Sequence, residues 1–198
     1  MEIEPGVKAP ILPKEYATRL PIHLRSIQNI TSKVGTDGLV EHKFLYDLDP
    51  PNGKFAKGFI DRLIIRGDKA FIIDYKTTKK GKWRVNKETV KIDPQLRMYA
   101  KVVQNEFGIA AQNISCALFY LEDEEIVNYR YTEASLKLIE QEMLDVYNQI
   151  HEHNPDHVVG RTGWHCDRCP FVTICPFKRA NSTVASWDGN MDSIIKGV

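Results

Sequence analysis

The sequence predicts a mixed α/β (α+β) domain: a mixed central sheet built around one β-hairpin and flanked by helices. Three observations predict it. Two apolar runs, 55–66 and 69–77, are separated only by Gly67-Asp68, a tight link between antiparallel strands. A capped amphipathic helix over 93–107 and two further strand-length runs follow. A long helix after Thr132 then keeps Leu136, Ile139, Met143, Val146, Tyr147 and Ile150 at three-and-four spacing, the signature of a core-facing stripe.

Taken in order, residues 1–14 carry Pro and Gly without a period and read as an amino-terminal arm. Over 15–33 the spacing of Leu20, Leu24, Ile27 and Ile30 suits one helical face, and Pro21 is tolerable there only near the start. Gly35 and Gly38 break that helix. Residues 39–48 alternate as a strand, and Asp49-Pro-Pro-Asn-Gly53 turns the chain into the hairpin. Residues 79–91 are polar and basic and read as a loop. Asp93 suits the N-cap of the next helix, Pro94 its first position and Gly108 its end. Residues 114–121 and 126–131 are strands across the Glu122–Glu125 turn. The expected organisation is an arm (1–14), a core (15–163), a cysteine-bearing segment (164–180) and a tail (181–198).

The 198 residues fit one domain, and 27 Lys+Arg against 26 Asp+Glu leave a net charge of +1. A nucleic-acid partner would therefore have to be held by local clusters of charge. No apolar run reaches the ~18 residues of a membrane span, and the first residues lack a signal-peptide layout, so the expectation is a soluble protein of the cytoplasm without membrane partners. There is no Gly-x-x-x-x-Gly-Lys-[Ser/Thr] loop and no internal repeat.

The hairpin carries the chemistry. Gly58-Phe-Ile-Asp61 lies on its first strand and Phe71-Ile-Ile-Asp74-Tyr-Lys76 on its second. Residues i and i+2 of a strand share a face, so Asp74 and Lys76 point together while Tyr75 points back, and Asp61 can meet them across the hairpin. Two carboxylates with a backbone carbonyl, that of Tyr75, suit a hard cation such as Mg2+ or Mn2+. A lysine beside them can orient or deprotonate a water and offset charge in the transition state of phosphodiester hydrolysis. Asp74 directly follows an apolar run, an awkward place for a carboxylate of no consequence.

Gly58-x-x-Asp61, Asp74-Tyr-Lys76 and Gln95-Leu-Arg-Met-Tyr99 together resemble the PD-(D/E)XK nuclease superfamily, in particular its RecB-like branch, which includes CRISPR-associated exonucleases. The resemblance spans roughly residues 20–178. It implies a restriction-endonuclease-like core whose catalytic hairpin bears Asp61, Asp74 and Lys76. It also implies catalytic parts for Gln95 and Tyr99, which share one helical face, for Glu41 on the preceding strand, and for His23 on the first helix as a further metal ligand. The implied activity is metal-dependent DNA cleavage in replication, repair or recombination, as an exonuclease working alone or with a helicase or recombination partner in a prokaryotic or phage-infected cell. A structure-selective or restriction-type endonuclease is the alternative enzyme. A DNA-binding or assembly subunit without activity is the alternative of another class.

Cys166-x-x-Cys169 with Cys175 is the second motif, and three thiols at this spacing can reach one metal. In the iron-sulfur members of the branch such a triplet joins an upstream cysteine around a [4Fe-4S] cluster. Here no cysteine precedes Cys116, which lies in an apolar run suited to a buried structural thiol. Three alternatives are open for the fourth ligand: the amino terminus has lost its cysteine, Cys116 reaches the cluster, or a histidine such as His165 completes a structural Zn2+ site instead. Finally, Lys79, Lys80, Lys82, Trp83, Arg84 and Lys87, with Lys91 beyond, form a basic stretch with one aromatic residue. It leaves the strand that bears Lys76 and suits the backbone of DNA ends or single strands, with little sequence specificity. Arg168, Lys178 and Arg179 are candidates for a second basic edge.

Overall fold

The computed structural model describes residues 14–81, 84–152, 160–163, 165–166, 169–175 and 177. The expected tail and nearly all of the expected arm lie outside them, as do Lys82, Trp83, Arg168, Lys178 and Arg179. The chain divides into two compact units, Met1–Leu144 and Asp145–Val198, and the division falls inside the last helix.

The first unit is a five-stranded mixed sheet flanked by helices. Helix α1 (Lys14–Val34) leads into β1 (Leu39–Asp49), β2 (Lys54–Arg66) and β3 (Lys69–Lys76). Helix α2 (Pro94–Phe107) then crosses to β4 (Ile114–Tyr120) and β5 (Glu125–Tyr129), and α3 (Glu133–Glu152) follows. The strand order is β1-β2-β3-β4-β5. All neighbours are antiparallel except β3 and β4, whose parallel pairing requires the crossover that α2 provides. Single turns of 3-10 helix close three connections: Pro50–Asn52, Thr89–Ile92 and Ala111–Asn113.

Alternation along β3 and β4 splits the core in two. Ala70, Ile72, Ile114, Cys116 and Leu118 face a layer that includes Leu96, Tyr99 and Val103 of α2 and Leu136 and Ile139 of α3. Ile73 and Phe119 face Ile30 of α1 with Ile64 and Leu121. Each such side chain removed from water stabilises the fold by about 1.5–3 kcal/mol before entropy is counted. The packed face of α1 is rotated from the expected one: Ser26, Ile27, Ile30 and Val34 face the sheet or its edge, while Leu20 and Leu24 are exposed. Pro21 sits well inside α1, where its exposed position lets water satisfy the carbonyl it leaves unpaired. The α3 stripe packs through Leu136, Ile139 and Met143, whereas Val146 and Ile150 are exposed.

Helix α2 begins and ends as its sequence demands. The Asp93 side chain accepts from the Leu96 N–H at 2.8 Å, Pro94 takes the first turn, and Gly108 terminates it at φ 65°. Among the described residues, no helix is long and apolar enough to cross a membrane.

Candidate active site

Strands β1, β2 and β3 bring three acids into one row. Glu41 and Asp61 stand opposite each other, between the pairs Val40–Arg62 and His42–Ile60. Asp61 and Asp74 occupy the step beyond Arg62–Ile73, the last residue pair that joins β2 to β3. At that step a side chain replaces the backbone: the Asp61 carboxylate accepts from the Tyr75 N–H at 2.8 Å. The hairpin therefore opens at this end, with Asp61 bridging the split. Glu41 has φ 51°, a left-handed conformation in mid-strand that a non-glycine residue adopts only under constraint.

Asp74 is 2% exposed. Its Oδ2 lies 2.6 Å from Lys76 Nζ as an ion pair outside hydrogen-bond geometry, and it has no other partner. Burial pushes the Asp74 carboxyl above the ordinary aspartate range, Lys76 holds it back, and the negative charges of Asp61 and Asp93 push it further up. Lys76 Nζ also donates to Gln95 Oε1 at 2.7 Å, and Gln95 Nε2 donates to the Tyr99 phenol oxygen at 2.8 Å. One chain of contacts thus runs Asp74–Lys76–Gln95–Tyr99 from sheet to helix. Tyr99 is buried edge-on against Phe44, with ring centroids 5.9 Å apart. Burial holds its hydroxyl protonated, reinforced by the charges of Asp74, Asp61 and Glu41. Its depth makes Tyr99 the inner end of this network.

Gly58 owes its identity to packing. It pairs with Phe44 across β1–β2, and a Cβ at Gly58 would sit 2.6 Å from the Phe44 ring. The absence of a side chain there is what lets Phe44 lie over β2 and support Tyr99.

The other expected residues are placed differently. His23 directs Nε2 to Glu122 Oε2 at 2.9 Å, and Arg19 donates to the same oxygen and to the Thr77 carbonyl. This cluster lies beside the end of β3. Arg19 and His23 hold the Glu122 carboxyl below its usual range. His42 pairs with Glu106 at 3.0 Å. Arg84, expected among the phosphate ligands, is held within the fold. Its side chain is 6% exposed, donates to both oxygens of Asp123 at 2.7 and 2.5 Å, and lies 3.5 Å above the Tyr120 ring. Lys80 and Lys87 are exposed, and Lys91 pairs with Glu88. Asp93, expected only as a cap, is a fourth acid whose charge reaches Asp74. Its distance from Asp74 in sequence hid that, as the β4–β5 turn hid Glu122.

Cys116 is fully buried, donates to the Leu96 carbonyl at 3.8 Å, and burial pushes its thiol far up, which suits a structural thiol and not a ligand. In the second unit, Cys166, Cys169 and Cys175 are free cysteines. Cys166 is buried and its sulfur accepts from the Gly163 N–H at 3.3 Å, while His165 Nε2 lies 2.9 Å from the Arg161 carbonyl. Among the described residues, no three His, Cys, Asp or Glu side chains are gathered to hold a metal ion. A magnesium-type ion needs fewer protein ligands, because one or two carboxylates, water and substrate phosphate complete its shell. The buried Oδ2 of Asp74, met by the Lys76 ammonium group but by no hydrogen bond, fits such an ion beside Asp61.

A mixed sheet with a split hairpin and a crossover helix is a restriction-endonuclease-like core. The model of the PD-(D/E)XK nuclease superfamily matches residues 13–176, and the chain belongs to that superfamily. Membership makes it a nuclease, a hydrolase of phosphodiester bonds. Fourteen solved chains match it. Among them, "Crystal structure of SSO0001" aligns at 21% identity with a TM-score of 0.45, over 84% of this chain and 72% of that chain. A search of the curated proteins finds no match.

Proposed function

We propose that the protein is a Mg2+- or Mn2+-dependent deoxyribonuclease of the RecB-like branch that acts as an exonuclease on DNA ends or single strands. The observation that carries this reading is the cluster at the split hairpin: Asp61 on the Tyr75 N–H, and a buried Asp74 beside Lys76. Asp61, Asp74 and the Tyr75 carbonyl would hold the cation, which would neutralise phosphate charge and acidify a water. Lys76, fixed between Asp74 and Gln95, holds that water for attack and offsets negative charge on the phosphate oxygens. Gln95 and Tyr99 position Lys76 and stay off the substrate. Glu41 adds a carboxylate from the outer strand, and His23, engaged by Glu122, carries no step.

The Gln95-x-x-x-Tyr99 spacing and the cysteine triplet support the RecB-like assignment. The triplet's part is structural: a [4Fe-4S] cluster, with Zn2+ as the alternative, would tie the carboxy-terminal segment together, and no catalytic step passes through it. Metal and sulfide analysis of anaerobically purified protein decides, with iron and sulfide expected; one zinc in colourless protein refutes the cluster.

The function is tested on end-labelled linear and closed circular DNA with added cation. Linear DNA is expected to be degraded from its ends and closed circles spared; nicked or linearised circles would indicate an endonuclease. Lys76→Ala and Asp74→Ala are expected to abolish cleavage and retain DNA binding, and activity surviving both would refute the mechanism.

A further inference from the structure

The outer halves of β1 and β2 alternate strictly. Phe44, Tyr46, Ala56, Gly58 and Ile60 turn inward, and residues 43, 45, 47, 55, 57 and 59 turn to solvent. On that outward face the cross-strand pairs are Lys43–Phe59, Leu45–Lys57 and Asp47–Phe55. Leu45 is 62% exposed, Phe55 49% and Phe59 47%. Phenylalanine at such exposure costs solubility and gains nothing for the core. No hydrogen bond or ion pair engages the side chain of Lys43 or Lys57 among the described residues, and Asp47, at the far end, is the one acid among the six. In each strand a candidate catalytic acid stands two residues, about 7 Å along the chain, beyond this face, Glu41 beyond Lys43 and Asp61 beyond Phe59, and the strict alternation ends there, since Ile60 and Leu63 both join the core cluster that includes Tyr99.

We propose that this face is a single-stranded DNA platform: bases stack on Phe59 and Phe55 while Lys43 and Lys57 hold the intervening phosphates, leading the strand toward the acids. The proposal rests on the nuclease reading for its direction of travel, but its binding chemistry stands apart from cleavage. Stacking tolerates any base because every base has a π-face, and the alternation of rings with ammonium groups matches the alternation of bases with phosphates along a strand. The charge also favours a nucleic acid over a protein partner, since two unpaired cations flank the rings.

The test is equilibrium binding of a short fluorescein-labelled oligothymidylate by fluorescence anisotropy in EDTA, where no cleavage occurs. All four side chains are exposed, so the variants keep the core intact, which circular dichroism verifies. Phe59→Leu is expected to weaken binding about tenfold and Phe55→Leu/Phe59→Leu about 100-fold, whereas Phe59→Trp retains wild-type affinity and has its indole fluorescence quenched by the oligonucleotide. Lys57→Gln is expected to lower the salt dependence by about one counterion. Wild-type affinity in the double leucine variant, or no binding by the wild type, overturns the platform and leaves the face to a protein partner. Failure of the nuclease reading looks different: aromatic-dependent binding in EDTA with no cleavage on adding Mg2+ or Mn2+.

Discussion

Gly58→Ala tests the link between motif and network most directly. The new methyl would lie 2.6 and 2.8 Å from two carbons of the Phe44 ring, against ordinary contacts near 3.6 Å. The ring must therefore retreat by about 1 Å. Phe44 is buried and flanked by Tyr99, so its ring can retreat only against Tyr99 or into the pocket it lines with Val102 and Glu106, and overpacking of this kind costs about 1–3 kcal/mol. Removing a glycine from the unfolded ensemble returns about 0.4–1 kcal/mol. The net expectation is a loss of about 1–2 kcal/mol, which for a chain of this size lowers Tm by about 2–8 °C. Displacing Phe44 also pushes on Tyr99, and through Gln95 loosens the hold on Lys76, so kcat should fall while KM stays.

The assay is a double-mutant cycle of thermal unfolding and steady-state cleavage. In a Phe44→Leu background the methyl meets a smaller, more adaptable side chain, and Gly58→Ala should then cost nothing further. Equal destabilisation in both backgrounds would refute the packing account and mean that Gly58 is required for its backbone alone. An unchanged kcat in the single variant would show that Tyr99 does not transmit Phe44's position.

Three further outcomes are expected. Gln95→Leu removes the acceptor that fixes Lys76, a charge-assisted bond worth about 1.5–3 kcal/mol, so kcat should drop about 10- to 100-fold with DNA binding in EDTA unchanged; loss of binding instead would place Gln95 on the substrate. Asp74 has a folded-state pKa above its unfolded value, so it costs stability once the pH rises above the unfolded value, and the full cost is reached above the folded one; metal-free Asp74→Asn should therefore melt higher than wild type at neutral pH, and Mg2+ should raise the Tm of wild type but not of the variant. Arg84→Ala should destabilise by about 2 kcal/mol without changing the salt slope of DNA binding, whereas Lys80→Gln and Lys87→Gln should each lower that slope by about one; a changed slope in Arg84→Ala would return it to the DNA track.

Local rules made most of the first unit legible. The hairpin, the caps of α2 and the shared face of Asp74 and Lys76 follow from period, turn chemistry and capping, each decided within a few residues. What was hidden lay in tertiary choices. Leu20 and Leu24 have helical spacing equal to that of Ile27 and Ile30, and only the position of α1 over the sheet decides which of them is covered. Arg84 reads as one more base in a basic stretch, and only the return of β4 brings Tyr120 and Asp123 to it. The exposed lysine and phenylalanine alternation in β1 and β2 was visible in sequence, but only the register sets Lys43 beside Phe59.

The charge balance of the site explains why the network is built as it is. The charges of Asp61 and Asp93 bear on Asp74, those of Asp74, Asp61 and Glu41 bear on Tyr99, and Lys76 is paired with Asp74; burial raises the cost of every unbalanced charge. A fold selected for stability alone would replace Asp74 with an apolar residue, since its neighbours in β3 are Ile72 and Ile73. Its retention is accounted for if a divalent cation supplies the missing positive charge. Lys76 cannot do so alone, because its one positive charge is set against Asp74 and against the charges of Asp61 and Asp93 that bear on it. The bond from Lys76 to Gln95 has its own consequence: if a cation were to take Asp74, Gln95 would still hold the Lys76 ammonium group in place.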